Sequence, residues 1–195
     1  MRLFAALPLP HPVVDWLDGR VLLAKQIDPT LRWVPSEQWH LTLAFFGDVP
    51  EGAVEDLTGR LGRAAARRGA LGMALGPPGR FGSARRARVL WQGLSAGSEA
   101  TSRLAASCRA AGRRAGLTGE VLSPTARFRP HVTLARAAPP RDVEAVLAVL
   151  RADSYPSWRA QEVRLVRSTL GAGPGGRAQH EVAASLPFTD VPAEH

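Results

Sequence analysis

The chain has 195 residues, of which 45% are hydrophobic and 22% are charged, so it can bury the core of one compact domain and is neither a disordered tail nor a fibre. Its formal net charge is +8, and every basic residue except Lys25 is an arginine, a side chain that suits phosphate geometry. Ala, Gly and Pro are also abundant, so a compositional bias is an equal explanation, and the charge suggests an anionic partner without establishing one.

The only cysteine is Cys108, which excludes an intramolecular disulfide and a zinc site built from thiolates. A reduced, cytoplasmic setting is therefore expected. Leu104 and Ala105 indicate a helix face, so the thiol is predicted to be buried and inert. No apolar stretch is long enough to span a bilayer, and the run at residues 3–7 is too short for a signal peptide, so we expect no membrane partner.

The hydrophobic patterns predict two series of elements that follow the same order. The first series has strands at residues 3–7, 31–34, 39–46 and 71–75, with helices from about 13 to 25 and through 54–61. The second series has strands at 89–91, 128–135, 162–169 and 181–188, with helices at 98–114 and 143–150. The segment 77–88, rich in Pro, Gly and Arg, is expected to be a crossing between lobes or a mobile loop.

The two series indicate an internal duplication. A shift of 91 residues carries His40 onto His131 and Leu71 onto Glu162, and a shift of 87 carries Leu3 onto Leu90. We therefore predict an α+β fold with pseudo-twofold symmetry, in which two mostly antiparallel sheets are flanked by helices and face a central cleft. The single domain, residues 1–195, would comprise lobes of about 1–85 and 86–188, with room for strand exchange between them.

Two histidines begin the same four-residue pattern, His40-Leu-Thr-Leu and His131-Val-Thr-Leu, each inside a predicted strand. Because strand side chains alternate, each His shares a face with its Thr, Thr42 or Thr133, while the apolar residues enter the core. One such pair would be satisfied polar groups in a packed sheet. Two pairs at equivalent positions of a repeat favour a functional site.

Two imidazoles and two hydroxyls facing each other suit the cleavage of a phosphodiester. One neutral imidazole removes a proton from an attacking water or hydroxyl, and one imidazolium protonates the leaving oxygen. Both forms are accessible near the ordinary histidine pKa of about 6.5. The threonine hydroxyls would donate hydrogen bonds to phosphate oxygens. Neither motif has acidic or cysteine partners at metal-ligand spacing, so we expect no metal and no other cofactor.

At these residues the sequence resembles the 2H phosphoesterases, named for two such motifs, and in particular their RNA 2′,3′-cyclic phosphodiesterase branch, also called 2′-5′ RNA ligases. The similarity continues in order along nearly the whole chain, through residues 1–10, 31–35, 40–47, 88–91, 127–136 and 166–170. The resemblance implies a bilobal fold and the hydrolysis, without metal or ATP, of RNA 2′,3′-cyclic phosphate ends to 2′-phosphomonoesters. It also implies that the reverse reaction could join such an end to a 5′ hydroxyl.

The resemblance further implies the roles of the motif residues. His40 corresponds to the general acid that protonates the departing 3′ oxygen, and His131 to the general base that activates water. Thr42 and Thr133 correspond to the positions that hold the phosphate. RNA ends or cyclic nucleotides would be the partners, and we expect a monomer.

Several other residues are candidates for substrate contact. Arg129 and Arg136 flank His131, and alternation places Arg129, not Arg136, on the histidine face. Phe46, and with less support Phe4 and Trp39, could stack on a base. The basic cluster Arg80, Arg85, Arg86 and Arg88 could guide an RNA backbone, although such a run is commonly a solvated loop.

Two other functions fit the same residues. A protein could bind RNA ends through these motifs without turning them over, as the net charge of +8 suggests. An enzyme of the same chemistry could instead act on a different small cyclic nucleotide phosphate.

Overall fold

The computed structural model of the protein describes residues 1–117 and 128–189. Arg127, the first residue of one segment that carries the family resemblance, lies outside this range. The strands are β1 (Arg2–Pro8), β2 (Arg32–Trp33), β3 (His40–Asp48), β4 (Leu71–Ser83), β5 (Arg86–Ala96), β6 (Val132–Arg141), β7 (Ser157–Ala160), β8 (Glu162–Gly173) and β9 (Arg177–Pro187). The helices are α1 (His11–Ile27), α2 (Glu51–Ala66), α3 (Ser98–Arg114) and α4 (Glu144–Leu150).

The strands form one continuous antiparallel sheet in the order β7-β4-β5-β6-β3-β1-β8-β9, with β2 added beside β6. The predicted α+β class is confirmed. The two expected sheets meet where β3 and β6 pair through Leu41 and Val132. This contact joins the two motif strands at the middle of the sheet.

The strand order exchanges elements between the two series. β4, which follows the first motif along the chain, pairs with β5, which begins the second series. β8, which follows the second motif, pairs with β1, which begins the first. A boundary drawn along the sequence near residue 85 therefore does not separate the two halves of the sheet, because each half contains strands from both series.

The helices cover the sheet face opposite the site. Helix α1 buries Val13, Leu17, Val21 and Ala24 and packs against α4, while α2 packs against α3. Cys108 on α3 is 1% exposed, and this burial raises the pKa of its thiol to about 12, so the predicted inert, buried cysteine is found. Among the residues described, no helix is long and apolar enough to cross a membrane.

The segment 77–88 is not a crossing or loop, as the sequence suggested, but the tip of a β-hairpin. β4 continues to Ser83 and β5 begins at Arg86. The glycines serve close packing: a Cβ on Gly79 would lie 2.3 Å from the Trp91 ring, so a glycine there lets the indole cross the strand. The prolines coincide with a register shift between Gly76 and Pro78, a position where a ladder tolerates a missing N–H.

Two further expectations differ from the structure. The second motif strand, predicted over 128–135, begins at Val132 and continues to Arg141. β7 was not predicted, since its four residues, Ser157 to Ala160, are too few to show a hydrophobic period.

Candidate active site

The four motif residues line one cleft of about 600 Å³ on the sheet face away from the helices. β3 supplies His40 and Thr42, and β6 together with the residue before it supplies His131 and Thr133. In each motif the apolar neighbours are buried while the His and Thr are only partly covered. The alternation predicted from the sequence therefore places the two pairs on one surface.

Both histidine rings are held by the same backbone contact. His40 Nδ1 donates to the carbonyl oxygen of Gln38 at 2.7 Å, and His131 Nδ1 donates to that of Arg129 at 2.7 Å. A carbonyl can only accept, so Nδ1 carries the proton in each neutral ring, and Nε2 is the nitrogen free to exchange one. In each motif, the carbonyl of the residue two positions earlier binds Nδ1. The Nε2 atoms of the two rings are therefore the ones that can exchange a proton in the cleft.

Aromatic rings support the two histidines at equivalent places. The Phe4 ring on β1 lies 4.8 Å from His40, and the Trp91 ring on β5 lies 6.1 Å from His131. Phe4 and Trp91 are related by the shift of 87 residues that aligns the two series. Phe81 packs edge-on against His131 at 4.9 Å. Phe4 is 2% exposed, so its ring packs against that of His40 and is too buried to stack on a base.

A β-bulge changes which side chains follow each motif into the cleft. Ala5 pairs with Ala44 and Ala6 with Thr42, which leaves Leu43 as an extra residue on β3. On β6, Leu90 pairs with Ala135 and Trp91 with Thr133, so Leu134 is the extra residue. Each bulge reverses the alternation beyond the threonine.

The first bulge corrects the expectation for Phe46. This ring is 5% exposed and lies in the core, whereas Phe45 is 49% exposed and lines the cleft. Strict alternation from His40 would place residue 46 in the cleft, but the additional residue moves it to the opposite face. Phe45 is therefore the aromatic side chain available to a base.

The second bulge has the same effect on the arginines. Arg136 lines the cleft beside Thr133, although alternation predicted that it would face away. Arg129 is exposed, and its guanidinium lies 5.3 Å from the centre of the Trp91 ring. Phe45 and Arg136 are separated by the same 91 residues as the two histidines. The Leu-Ala pair that follows each threonine was the sequence signal that could have indicated the bulges. Two consecutive apolar residues interrupt the alternation of apolar and polar residues in a strand.

The charges of the cleft are of one sign. Arg2, Arg32 and Arg136 line it, and none of the described residues that line it is Asp or Glu. Arg32 lies opposite Arg136 in the β2–β6 register. Such a cleft favours an anionic ligand. Arg2 and Arg32 were not predicted from the sequence.

The predicted basic cluster lies away from this cleft, in the β4–β5 hairpin. Arg80 forms an ion pair with Glu144 at 2.8 Å. Trp39, another predicted stacking candidate, is 6% exposed, and its indole nitrogen donates to the carbonyl of Val34 at 3.1 Å. Neither feature supplies a side chain to the histidine cleft.

A third histidine, which belongs to neither motif, completes the surroundings of the first. His180 on β9 lies with its ring 5.6 Å from that of His40 and 5.1 Å from that of Phe4. It was missed because the last strand was predicted to begin at residue 181. Gln38 Nε2 donates to the carbonyl of Ala178 at 3.0 Å, which attaches β9 to the segment that also holds the His40 ring.

Burial keeps the histidines neutral in the free protein. Desolvation lowers the pKa of His40 to about 4, with smaller contributions in the same direction from His180 and His131 and an opposing one from the Gln38 carbonyl. Desolvation also lowers the pKa of His131, assisted by the charges of Arg136 and Arg129 and opposed by the Arg129 carbonyl. An anion that enters the cleft would stabilise the charged form of either imidazole.

No group of three or more His, Cys, Asp or Glu side chains suited to holding a metal ion occurs within residues 1–117 and 128–189. The donor groups of the cleft are imidazoles, hydroxyls and guanidiniums, which fit a phosphate better than a cation.

Comparisons with known proteins identify relatives of this chain. Residues 23–172 match the family model of the 2′-5′ RNA ligase superfamily. A protein named RNA 2′,3′-cyclic phosphodiesterase from Geobacillus stearothermophilus is 30% identical over 84% of this chain, and the chain spans only about half, 50%, of that relative's length. A protein of the same name from Aeropyrum pernix is 31% identical over 80% of this chain and 87% of its own.

The fold also matches a solved structure over almost its whole length. The crystal structure of TT0787 of Thermus thermophilus superposes with a TM-score of 0.74 at 30% identity, and the match covers 96% of this chain and 97% of the other.

Proposed function

This chain belongs to the 2′-5′ RNA ligase superfamily, and on that premise we propose that it hydrolyses 2′,3′-cyclic phosphates at RNA ends to 2′-phosphomonoesters. The names of its relatives from Geobacillus stearothermophilus and Aeropyrum pernix support this activity. The reaction would require neither metal nor ATP.

One observation carries the proposal: two histidines, each with Nδ1 bound to a backbone carbonyl, present Nε2 to a single cleft whose charged lining residues are arginines. Hydrolysis of a cyclic phosphodiester needs a base on the side of the attacking water and an acid on the side of the leaving oxygen. Two rings whose Nδ1 atoms are both engaged with backbone carbonyls meet that need with one nitrogen each.

In the proposed reaction, His131 Nε2 accepts a proton from water as the water oxygen bonds to phosphorus. The bond between phosphorus and the 3′ oxygen breaks, and the His40 imidazolium gives its Nε2 proton to that oxygen. The product carries a 2′-phosphate and a free 3′ hydroxyl. The same steps, with a 5′ hydroxyl attacking phosphorus in place of water, would give a 2′-5′ linkage.

The acid acquires its proton together with the substrate. In the free protein the pKa of His40 is about 4, so its ring is neutral at pH 7. A phosphodiester anion beside the ring favours the imidazolium form and raises its pKa. This coupling makes the charged form of His40 most abundant when there is a leaving oxygen to protonate.

The remaining lining residues would hold the phosphate. The Thr42 hydroxyl lies 3.0 Å from His40 Nε2, so a phosphate oxygen that accepts a hydrogen bond from this hydroxyl is brought next to the acid. Thr133 stands in the same relation to His131 along the chain, and Arg136 beside it provides a fixed positive charge for the equatorial oxygens.

Phosphorus NMR of a dinucleotide ending in a 2′,3′-cyclic phosphate, incubated with the protein and a chelator, tests the proposal. The expected result is loss of the cyclic phosphate signal and appearance of a 2′-phosphomonoester alone. A 3′-phosphomonoester would contradict the assignment of the leaving oxygen. Tight, salt-sensitive binding without turnover would show instead that the cleft only binds RNA ends.

A further inference from the structure

A second cavity of about 700 Å³ adjoins the catalytic cleft at His40 and extends to the start of helix α1, where His11 and Val14 line it. Gln38, His40 and His180 line both, so these three side chains form the boundary between them. His131, Thr133 and Arg136 do not line the second cavity. The cavity therefore opens from the His40 side of the reacting phosphorus.

The walls of this second cavity differ chemically from those of the cleft. Arg159 and Arg164 are balanced by Glu37 and Glu162, and Arg164 Nε donates to Glu162 at 2.6 Å. The charged side chains thus nearly cancel, whereas those of the cleft are all arginine. A ligand that occupies both spaces would place its most negative group in the cleft and a nearly neutral group in the cavity.

The cavity offers apolar surface. Trp158 and Val182 line it, and Val182 is 53% exposed. Its volume lies within the range of about 300 to 1,000 Å³ typical of small-ligand sites.

The chemistry proposed above sets the direction in which RNA leaves the cleft. His40 protonates the departing 3′ oxygen, so the terminal ribose lies on the His40 side of phosphorus, and water attacks from the His131 side. The preceding nucleotide is attached through the 5′ carbon of that ribose. Its base and sugar therefore extend away from His131, toward the second cavity.

We propose that this cavity binds the penultimate nucleoside of an RNA whose terminal 2′,3′-cyclic phosphate lies between the two histidines. The inference rests on the proposed function and names its substrate class: an RNA end of at least two nucleotides, in preference to a mononucleotide. The base packs on the apolar wall, and Arg164 lies near the phosphate that joins the two nucleosides.

The test compares turnover of a mononucleotide 2′,3′-cyclic phosphate with that of a dinucleotide bearing the same terminal nucleotide. A base stacked on an apolar wall strengthens binding enough that the dinucleotide should have about a tenfold or greater advantage in kcat/KM. Equal values for the two substrates in the unmodified protein would overturn the inference while leaving the proposed function intact.

Val182→Trp fills the cavity without touching the cleft and should reduce the dinucleotide's advantage toward one. Gln179→Trp, at an exposed position on the same strand that lines neither space, is the matched control and should keep the advantage. If Val182→Trp also keeps the full advantage, the penultimate nucleoside binds elsewhere and the inference fails. Turnover of the mononucleotide by Val182→Trp shows that the variant has folded.

A second pair of variants examines the charge. Arg164→Gln should lower the dinucleotide's advantage and weaken its dependence on salt, because one contact to the linking phosphate is lost. Arg167→Gln, on the same strand but lining neither space, should change neither. If no form of the protein turns over either substrate, the proposed function itself fails, and this inference fails with it.

Discussion

The His40 and His131 sites share one backbone design and differ in what surrounds the ring. In both, Nδ1 donates to the carbonyl two residues earlier, and a bulge follows the threonine. His40 is enclosed by Phe4 and His180, whereas His131 has the cations Arg129 and Arg136 nearby. The repeated motif supplies two imidazoles in equivalent backbone settings, and their non-equivalent neighbours would allow them to take the opposite roles that we propose.

Removing either imidazole is the most severe way to break this pair. His40→Ala and His131→Ala should each lower kcat/KM for a 2′,3′-cyclic phosphate dinucleotide by about 100- to 10,000-fold, the usual contribution of a positioned acid or base. The double variant should lose little more than either single variant, because acid and base act in one step. Initial rates in the presence of chelator measure this effect, and full activity in either single variant would refute the assignment.

Arg136→Gln sharpens the difference between the two sites. Loss of its positive charge beside the phosphate should lower kcat by about 100-fold, as for other single groups that stabilise developing charge. Arg88→Gln, an exposed arginine of the β5 strand that does not line the cleft, should behave like the unmodified protein. Equal effects of the two substitutions would mean that only the net charge matters.

Phe45 and Phe46 test the bulge that separates adjacent side chains. Phe45→Ala should raise KM by about tenfold through lost base stacking and leave the melting temperature nearly unchanged. Phe46→Ala should cost about 3 to 5 kcal/mol of unfolding free energy, seen as a fall in melting temperature. The reverse pattern, with Phe46 controlling KM, would show that strict alternation holds and the bulge does not.

The smallest expected effect of the unequal environments is on the pH dependence of kcat/KM and kcat. In the proposed mechanism, the active protonation state of the free protein has one charged and one neutral imidazole, and it is a minor state at pH 7. Because burial places the pKa of His40 at about 4 and that of His131 below its ordinary 6.5, kcat/KM should follow a bell centred below pH 6.5. The bell for kcat should lie at higher pH, because bound phosphodiester anion raises both pKa values.

Arg136→Gln should shift this pH profile in a known direction. Its guanidinium lowers the pKa of His131, so removing it should raise that pKa and move the pH profile of kcat/KM to higher pH. A flat profile between pH 5 and 9 would contradict the division into acid and base.

Much of the site was predictable from local patterns. The His-x-Thr pairs and the period of two placed His40, Thr42, His131 and Thr133 on one face, since alternation within a strand depends only on nearby residues. The duplicated order of elements indicated the α+β fold in the same way. Their catalytic roles remain predictions that the variants above test.

The tertiary structure decided what lies around those residues. Bulges form where one strand must fit the curvature of its neighbours. The presence of Phe45 and Arg136 in the cleft, and of Phe46 in the core, therefore depends on pairing across the sheet. His180 reaches His40 across the sheet, by way of β8 and β1, from 140 residues away along the chain. The local sequence determined which groups we propose as the acid, the base and the phosphate donors. Long-range strand pairing determined the neighbours of these groups and therefore their pKa values, because desolvation depends on everything packed nearby.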